Sequence, residues 1–186
     1  IEMTPVGMKY WNHNQTQADF PVDTARLRHV IETVRDKSGW ANRKKEKGHG
    51  WGFAAHRSFL TYVAVVTEVV VDDRGRVTIP NMHIAVDAGQ TYNLDRVLAQ
   101  FEGAGVFGTS IAMMSEISVK DGKVQQSNFH NYQVARMPEA PQRIHVHLIP
   151  SKELAAGVGE PGVPPVPPSI ANAIFDATGK RVRDLP

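Results

Sequence analysis

The chain has 186 residues, 41% of them hydrophobic and 22% charged, enough apolar side chain to bury one sizeable core or two small ones packed together. Its 21 Lys+Arg against 19 Asp+Glu leave a formal charge of only +2, and the one dense basic run, Arg43, Lys44, Lys45 and Lys47, leads into Gly48 and Gly50. Without an interleaved aromatic platform that run reads as a solvated loop, so no nucleic-acid partner is expected.

Cysteine is absent. The chain therefore supplies no disulfide, thiolate nucleophile, cysteine-bound zinc or iron–sulfur ligand, and any electron relay must lie elsewhere. No apolar run approaches the roughly 20 residues that span a bilayer, and the N-terminus has no signal pattern. Because the chain starts at Ile1 rather than a methionine, it reads as a processed product or a piece of something longer, and a missing signal says nothing about compartment.

Residues 1–22, polar and aromatic with Pro5 and Pro21, read as a connecting segment ahead of a body spanning 23–186. Asp23 is placed to cap a helix in which Leu27, Val30, Ile31 and Val34 recur at helical spacing, with Gly39 closing it. Residues 53–71, rich in Val, Tyr and Thr, are then read as one strand. A turn at Asp72, Asp73, Arg74 and Gly75 and a returning strand over 76–86 would complete a long hairpin.

Asn93 caps a second helix with Leu94, Val97, Leu98 and Phe101 on one face, which runs into Gly103, Gly105 and Gly108. Each glycine inside a helix costs about 1 kcal/mol relative to alanine. Three together therefore imply close approach, either by neighbouring secondary structure or by a ligand. A short hairpin over 116–126 is expected around Asp121 and Gly122, and a further strand over 143–149, where Ile144, Val146 and Leu148 alternate with Arg143, His145 and His147. Residues 154–168 form a loop dense in Gly and Pro. The last helix presents Ile170, Ala173, Ile174 and Ala177 and stops at Gly179. The order predicts an α+β fold, a mixed or antiparallel sheet covered on one face by helices.

Glu160 stands out because Gly159 and Pro161 flank it in that loop. Prolines lower the loop's entropy, and Gly157, Gly159 and Gly162 leave backbone amides unobstructed for a polar or anionic ligand. A carboxylate fixed there suits a general base; by composition alone, a solvated glutamate on a Pro-rich turn is the simpler reading. His145 and His147 would share one strand face, but without a third ligand at recognisable spacing they read as a satisfied or solvent-facing pair, and no metal site is expected. His56, Arg57 and Ser58 are adjacent and would alternate between faces, which disfavours Ser/His catalysis. The run GAGVFG has the bare G-x-G-x-x-G spacing but lies inside the helical period instead of opening a helix after a strand, and P-loop spacing is absent, so no nucleotide fingerprint is supported.

Read together, FAAHRSFLTYVAVVTEVVVD, AVDAGQTYNLDRVLAQFEGAGVFGTSIAMMSEI, QQSNFHNYQVARMPEAP and AGVGEPGVPPVPPSIANAIFDATGKRVRDLP resemble the C-terminal part of the molybdopterin-binding large subunit of the xanthine dehydrogenase/aldehyde oxidase family. The isoquinoline 1-oxidoreductase beta-subunit type is the nearest in pattern. The resemblance implies the layered fold of that family's cofactor-binding domain and a hydroxylase that inserts water-derived oxygen into an N-heteroaromatic compound or an aldehyde. In the family the glutamate of the GEP motif is the base, and Glu160 occupies that motif. The glutamine of the Gln-x-Glu-Gly motif touches the pyranopterin. Gln100, with Gly103 closing the motif, is the matching cofactor contact, and Gly157, Val158 and Gly159 are candidate backbone contacts from the other side.

The implied cofactor is molybdopterin in its cytosine dinucleotide form. The implied partners are the remainder of the large subunit, an iron–sulfur small subunit and a small heteroaromatic or aldehyde substrate, and the implied location is the periplasm, reached by twin-arginine export. The family's upstream cofactor loops are missing here, so the chain alone is expected to bind cofactor weakly or not at all and to have no turnover. The competing expectation is a stand-alone, non-catalytic binding module of the same fold, which would lack a large exposed apolar face.

Overall fold

The computed structural model describes residues 16, 18–20, 22–43 and 45–186. Most of the predicted connecting segment, 1–15 together with 17 and 21, and Lys44 of the basic run lie outside the described residues. The first helix, α1 (Thr24–Ser38), is capped as expected: the Asp23 carboxylate accepts the amides of Ala25 and Arg26, and Gly39 closes the helix in the left-handed region. A single 3-10 turn, Trp40–Asn42, follows.

The predicted long hairpin is three strands, β1 (His49–Ser58), β2 (Thr61–Val71) and β3 (Val77–Asp87), paired antiparallel in sequence order. The extra reversal lies at Phe59 and Leu60, which both have positive φ, +50° and +65°. That geometry makes a two-residue turn of the kind Asn-Gly favours, and for bulky residues it costs roughly 1–2 kcal/mol each. A turn made of strand-forming residues carries no turn signature, which is why the sequence reads through it.

The second helix, α2 (Leu94–Met113), continues through its glycines, and the Asn93 side chain accepts the Arg96 amide at 3.1 Å. Val97 and Phe101 are buried as expected, whereas Leu94 is exposed. The small hairpin shrinks to β4 (Val119–Lys120) and β5 (Lys123–Val124), turning at Asp121 and Gly122. The strand β6 (Ile144–Leu148) joins the main sheet parallel to β3. Finally α3 (Val166–Thr178) starts inside the predicted loop, its first turn holding Pro167 and Pro168, where a missing N–H leaves nothing unpaired.

The sheet runs β1-β2-β3-β6. Helices cover both of its faces, not one. Val63, Val65, Ile84 and Val86 face α2 and α3 through Phe101, Val166 and Ile170, while Tyr62, Ala64, Val66 and Ala85 face Val30, Ile31 and Val34 of α1. The unbroken apolar run of β2 reflects that double burial, since a strand wetted on one side would alternate. Phe101 and Ile170 are essentially inaccessible, each contributing about 1.5–3 kcal/mol by leaving water.

One ion pair links α1 to the end of β3. The Arg26 guanidinium grips Asp87 with two hydrogen bonds, 2.7 and 2.6 Å, and their side chains are 16% and 5% exposed. Burial by itself would raise the Asp87 carboxyl; the Arg26 fork and the Gly89 amide outweigh it and hold the group below the ordinary 3.8. A depressed carboxyl contributes stability that is complete above the unfolded value and disappears as pH falls through the folded one. Asp87→Asn is therefore expected to destabilise the fold by about 2–3 kcal/mol at pH 7, because it leaves Arg26 half-paired in a partly screened setting. Urea titration should also show the variant losing less stability than the parent as pH falls below about 4.

Candidate cofactor groove and the Glu160 loop

The loop over 149–165 leaves the carboxyl end of β6 and is stitched to its surroundings in sequence. The Gln90 amide donates to the Glu153 carbonyl and the Ala156 amide to the Ala88 carbonyl, both at 2.9 Å, so residues 153–156 run beside 88–90. Gly89, at φ +68°, leaves no room for a side chain against the backbone of Leu154. Beyond Glu160 the chain turns, with the Val163 amide donating to the Glu160 carbonyl at 3.0 Å. Gly162 then lies against α2, where an added Cβ would come within 2.7 Å of the Ala104 Cβ and 2.8 Å of the Phe101 ring.

This arrangement leaves a groove of about 300 Å³ between the start of α2 and the loop. Gln100, Arg96, Gln90 and Tyr92 border one side, and Ala155, Ala156 and Val158 the other. Gln100 and Val158 thus meet at one groove. The Glu160 side chain is exposed and does not line it. The residue stands on the crest between Val158, which borders the groove, and Gly162, which packs beside Gln100's neighbour Phe101.

The glycines divide into two groups. Gly105 and Gly108 are spent on packing, against Ile144 and Met82 and against Val166 respectively. Gly103 is exposed, and a Cβ there would meet nothing within 4 Å, so internal packing does not account for it. Gly157 corrects the expectation of an unobstructed amide: its N–H donates to the Phe59 carbonyl at 3.0 Å and its carbonyl accepts from Thr61 Oγ1 at 2.5 Å. Gly162 is likewise a packing glycine, whereas Gly159 has open space around it.

Sequence reasoning passed over Arg96, which lines the groove. Its signal was its spacing, one helical turn before Gln100 on the same face.

His145 and His147 do share a face, and His83 of β3 joins them. The His83 ring stacks on His145 at 4.5 Å, and its Nδ1 lies 3.1 Å from His147 Nε2. Among the described residues no group of three His, Cys, Asp or Glu side chains could hold a metal ion, and no helix is long and apolar enough to cross a membrane. His56 sits in β1 on the opposite face from Arg57, whose guanidinium lies 5.8 Å from the centre of the Tyr62 ring. Burial lowers the His56 pKa.

A family model described as a molybdopterin cofactor-binding domain matches residues 13–141. The chain belongs to this family, within the molybdenum hydroxylases. It is 37% identical over 160 residues to the isoquinoline 1-oxidoreductase subunit beta of Brevundimonas diminuta, a match covering 84% of this chain and 20% of that protein. It is 33% identical over 179 residues to a membrane-bound aldehyde dehydrogenase of Gluconacetobacter polyoxogenes, covering 93% of this chain and 23% of that one. That relative is named for pyrroloquinoline quinone, so relatives' names alone do not identify the cofactor; the family match does so for the domain. Among solved structures, the aldehyde oxidoreductase of Desulfovibrio desulfuricans superposes with a TM-score of 0.60 at 27% identity, over 68% of this chain and 14% of that one. The chain spans about a fifth of the length of the curated relatives just named.

The histidine stack makes stability depend on pH. Burial first, then the nearby His145 and His147, push His83 from 6.5 down to about 4, and burial, His145 and Lys37 lower His147. A histidine depressed in the folded state contributes stability that is complete above the unfolded value and lost as pH falls through the folded one. Chemical denaturation is expected to show a falling midpoint between pH 6.5 and about 4, and His83→Gln should flatten that fall.

Proposed function

We propose that this chain is one portion of the large subunit of a molybdenum hydroxylase, the portion that carries the catalytic base. The parent enzyme would insert water-derived oxygen at an electron-poor carbon of an N-heteroaromatic compound or an aldehyde. The observation that carries this reading is that Gln100 and the loop bearing Glu160 border one groove, on a chain of the molybdopterin-binding family.

The residues present suit a pterin. Gln100 offers both an amide donor and an amide acceptor from the exposed face of α2, and Gly103, bare of side chain and of packing, lets a flat ring approach that helix. When bound, the cofactor supplies the two-electron oxidation. Val158 and Gly159, next to the groove, are the backbone contacts on the loop side; Gly157 is not among them, since its amide and carbonyl are already paired. Glu160, on a crest anchored at Gly157 and Gly162, accepts the proton that the oxygen nucleophile loses as it attacks carbon.

The rest of the enzyme follows from what this chain lacks and exposes. With no cysteine in the chain, the proposed route for electrons is an iron–sulfur partner subunit. Tyr92, Leu154 and Met137 are 81%, 88% and 90% exposed, and Phe59, Leu94 and Phe107 are also exposed near the groove or along α2. These exposed side chains are the ones proposed to be buried against the remainder of the large subunit. The cytosine dinucleotide form of the cofactor and a periplasmic location by twin-arginine export complete the proposal, on the resemblance to the isoquinoline type.

In the full-length subunit with its iron–sulfur partner, Glu160→Gln is expected to lower kcat by about 10²–10⁴-fold while molybdenum content stays at the parent level. Gln100→Ala should instead lower cofactor content. A Glu160→Gln enzyme with full turnover would remove Glu160 from the role of base. The 186-residue chain purified alone is expected to show no oxidation of quinoline or of an aldehyde after incubation with the cofactor, since a site assembled from distant segments is incomplete in one of them.

A further inference from the structure

The turn joining β1 to β2 is made of residues poorly suited to it. Phe59 and Leu60 both adopt positive φ, a conformation that bulky side chains rarely take and that persists only where surrounding contacts over-determine it. Core burial does not explain it, because Phe59 is 61% exposed.

The conformation turns the Phe59 carbonyl toward the Glu160 loop, where it accepts the Gly157 amide at 3.0 Å. Thr61, the next strand residue and fully buried, donates its hydroxyl to the Gly157 carbonyl at 2.5 Å. A Cβ on Gly157 would come within 2.7 Å of the Phe59 Cβ. Gly157 is therefore gripped through its amide, its carbonyl and its Cα, three residues before Glu160.

The gripped segment is a ridge between two clefts. Ala155 and Ala156 line the groove that holds Gln100, and they also line a second cleft of about 490 Å³ with Phe20, Arg57, Phe59 and Leu60. On the groove side the Ala156 amide is tied to Ala88. On the other side the tie is the grip on Gly157.

We propose that the turn at Phe59 and Leu60, together with Thr61, is the positioning element of the Glu160 loop, so that Phe59 and Thr61 act through Gly157 on where the carboxylate stands. This rests on the reading of Glu160 as the base. A carboxylate whose loop shifts by an ångström loses most of its effect while substrate and cofactor still bind, so the consequence falls on kcat and not on KM.

The test uses the full-length subunit with its partner. Thr61→Val keeps the shape of the side chain and removes the donor. Its kcat per bound molybdenum should fall about ten- to a hundredfold, with KM unchanged. Amide hydrogen exchange over 155–160 should rise about tenfold while that of β2 stays put, and Thr61→Ser should restore both readings. Gly157→Ala should show the same kcat loss by pushing on Phe59, and adding Phe59→Gly, which clears that clash, should recover part of it. Unchanged exchange over 155–160 in Thr61→Val, or faster exchange with unchanged kcat, would overturn the proposal. So would a Gly157→Ala loss that Phe59→Gly leaves untouched. A fully active Glu160→Gln enzyme would instead reject the base assignment, and the exchange result would still decide whether the grip exists.

Discussion

Much of this fold depends on how closely α3 lies on the sheet. At Gly50 and Gly52 of β1 a side chain would collide with the backbone carbonyls of Ala173 and Ser169, so the helix rests on the strand backbone itself. The seat is then tied polar group to polar group, by a 2.7 Å hydrogen bond between the Thr67 and Ser169 hydroxyls and by the Asn172 amide donating to the Phe53 carbonyl at 3.0 Å. Within a close-packed interior such a contact leaves little freedom to slide. Because α3 begins at Val166, its seat determines where the Pro-rich loop must finish, and Val166 in turn is the residue against which Gly108 of α2 packs. One close helix–strand contact thus sets the far end of the Glu160 loop and the lateral position of the helix that carries Gln100.

The near end of the loop is set from the opposite layer. Arg26 of α1 holds Asp87, and Asp87 also accepts the Gly89 amide at 3.1 Å. This orients the 88–90 segment, to which residues 153–156 are bonded. A buried ion pair of this kind is weak evidence for net stability. Here it has a geometric role, because it places the wall of the groove relative to a helix on the other face of the sheet. The groove lies beyond the carboxyl ends of the parallel pair β3 and β6 and at the start of α2, where chain ends from several layers converge without closing over one another.

Glycine chemistry separates what serves the fold from what remains for a ligand. Gly50, Gly52, Gly105, Gly108 and Gly162 each have a neighbour that a side chain would strike, and packing is sufficient reason for all five. Gly103 has none, and it stands one turn along α2 from Gln100. A helix-interior glycine with open space above it carries a cost of about 1 kcal/mol without internal return. Close approach of a cofactor ring is the reason proposed for it, in keeping with the molybdopterin-binding family to which the chain belongs.

The sequence alone determined the elements whose signals are local. The Asp23 and Asn93 caps, the Gly39 and Gly179 stops, and the alternation of Ile144, Val146 and Leu148 are each written within one or two turns of chain, because the hydrogen bonds and burial they reflect are made there. The motif segments also marked the family and the two parts of the candidate site, Gln100 and the Glu160 loop. Their convergence on one groove was beyond the sequence, since it depends on Gly162 meeting Phe101 and on Ala156 meeting Ala88, contacts between residues far apart along the chain. The turn at Phe59 and Leu60 was invisible for a related reason: its residues favour strands, and only the grip on Gly157 and the pairing of β1 with β2 hold them at positive φ. Coverage of both sheet faces was half legible, in the unbroken apolar run of β2, but which helix covers which face was decided only when Gly50 and Gly52 received α3 on one side and Arg26 reached Asp87 from the other.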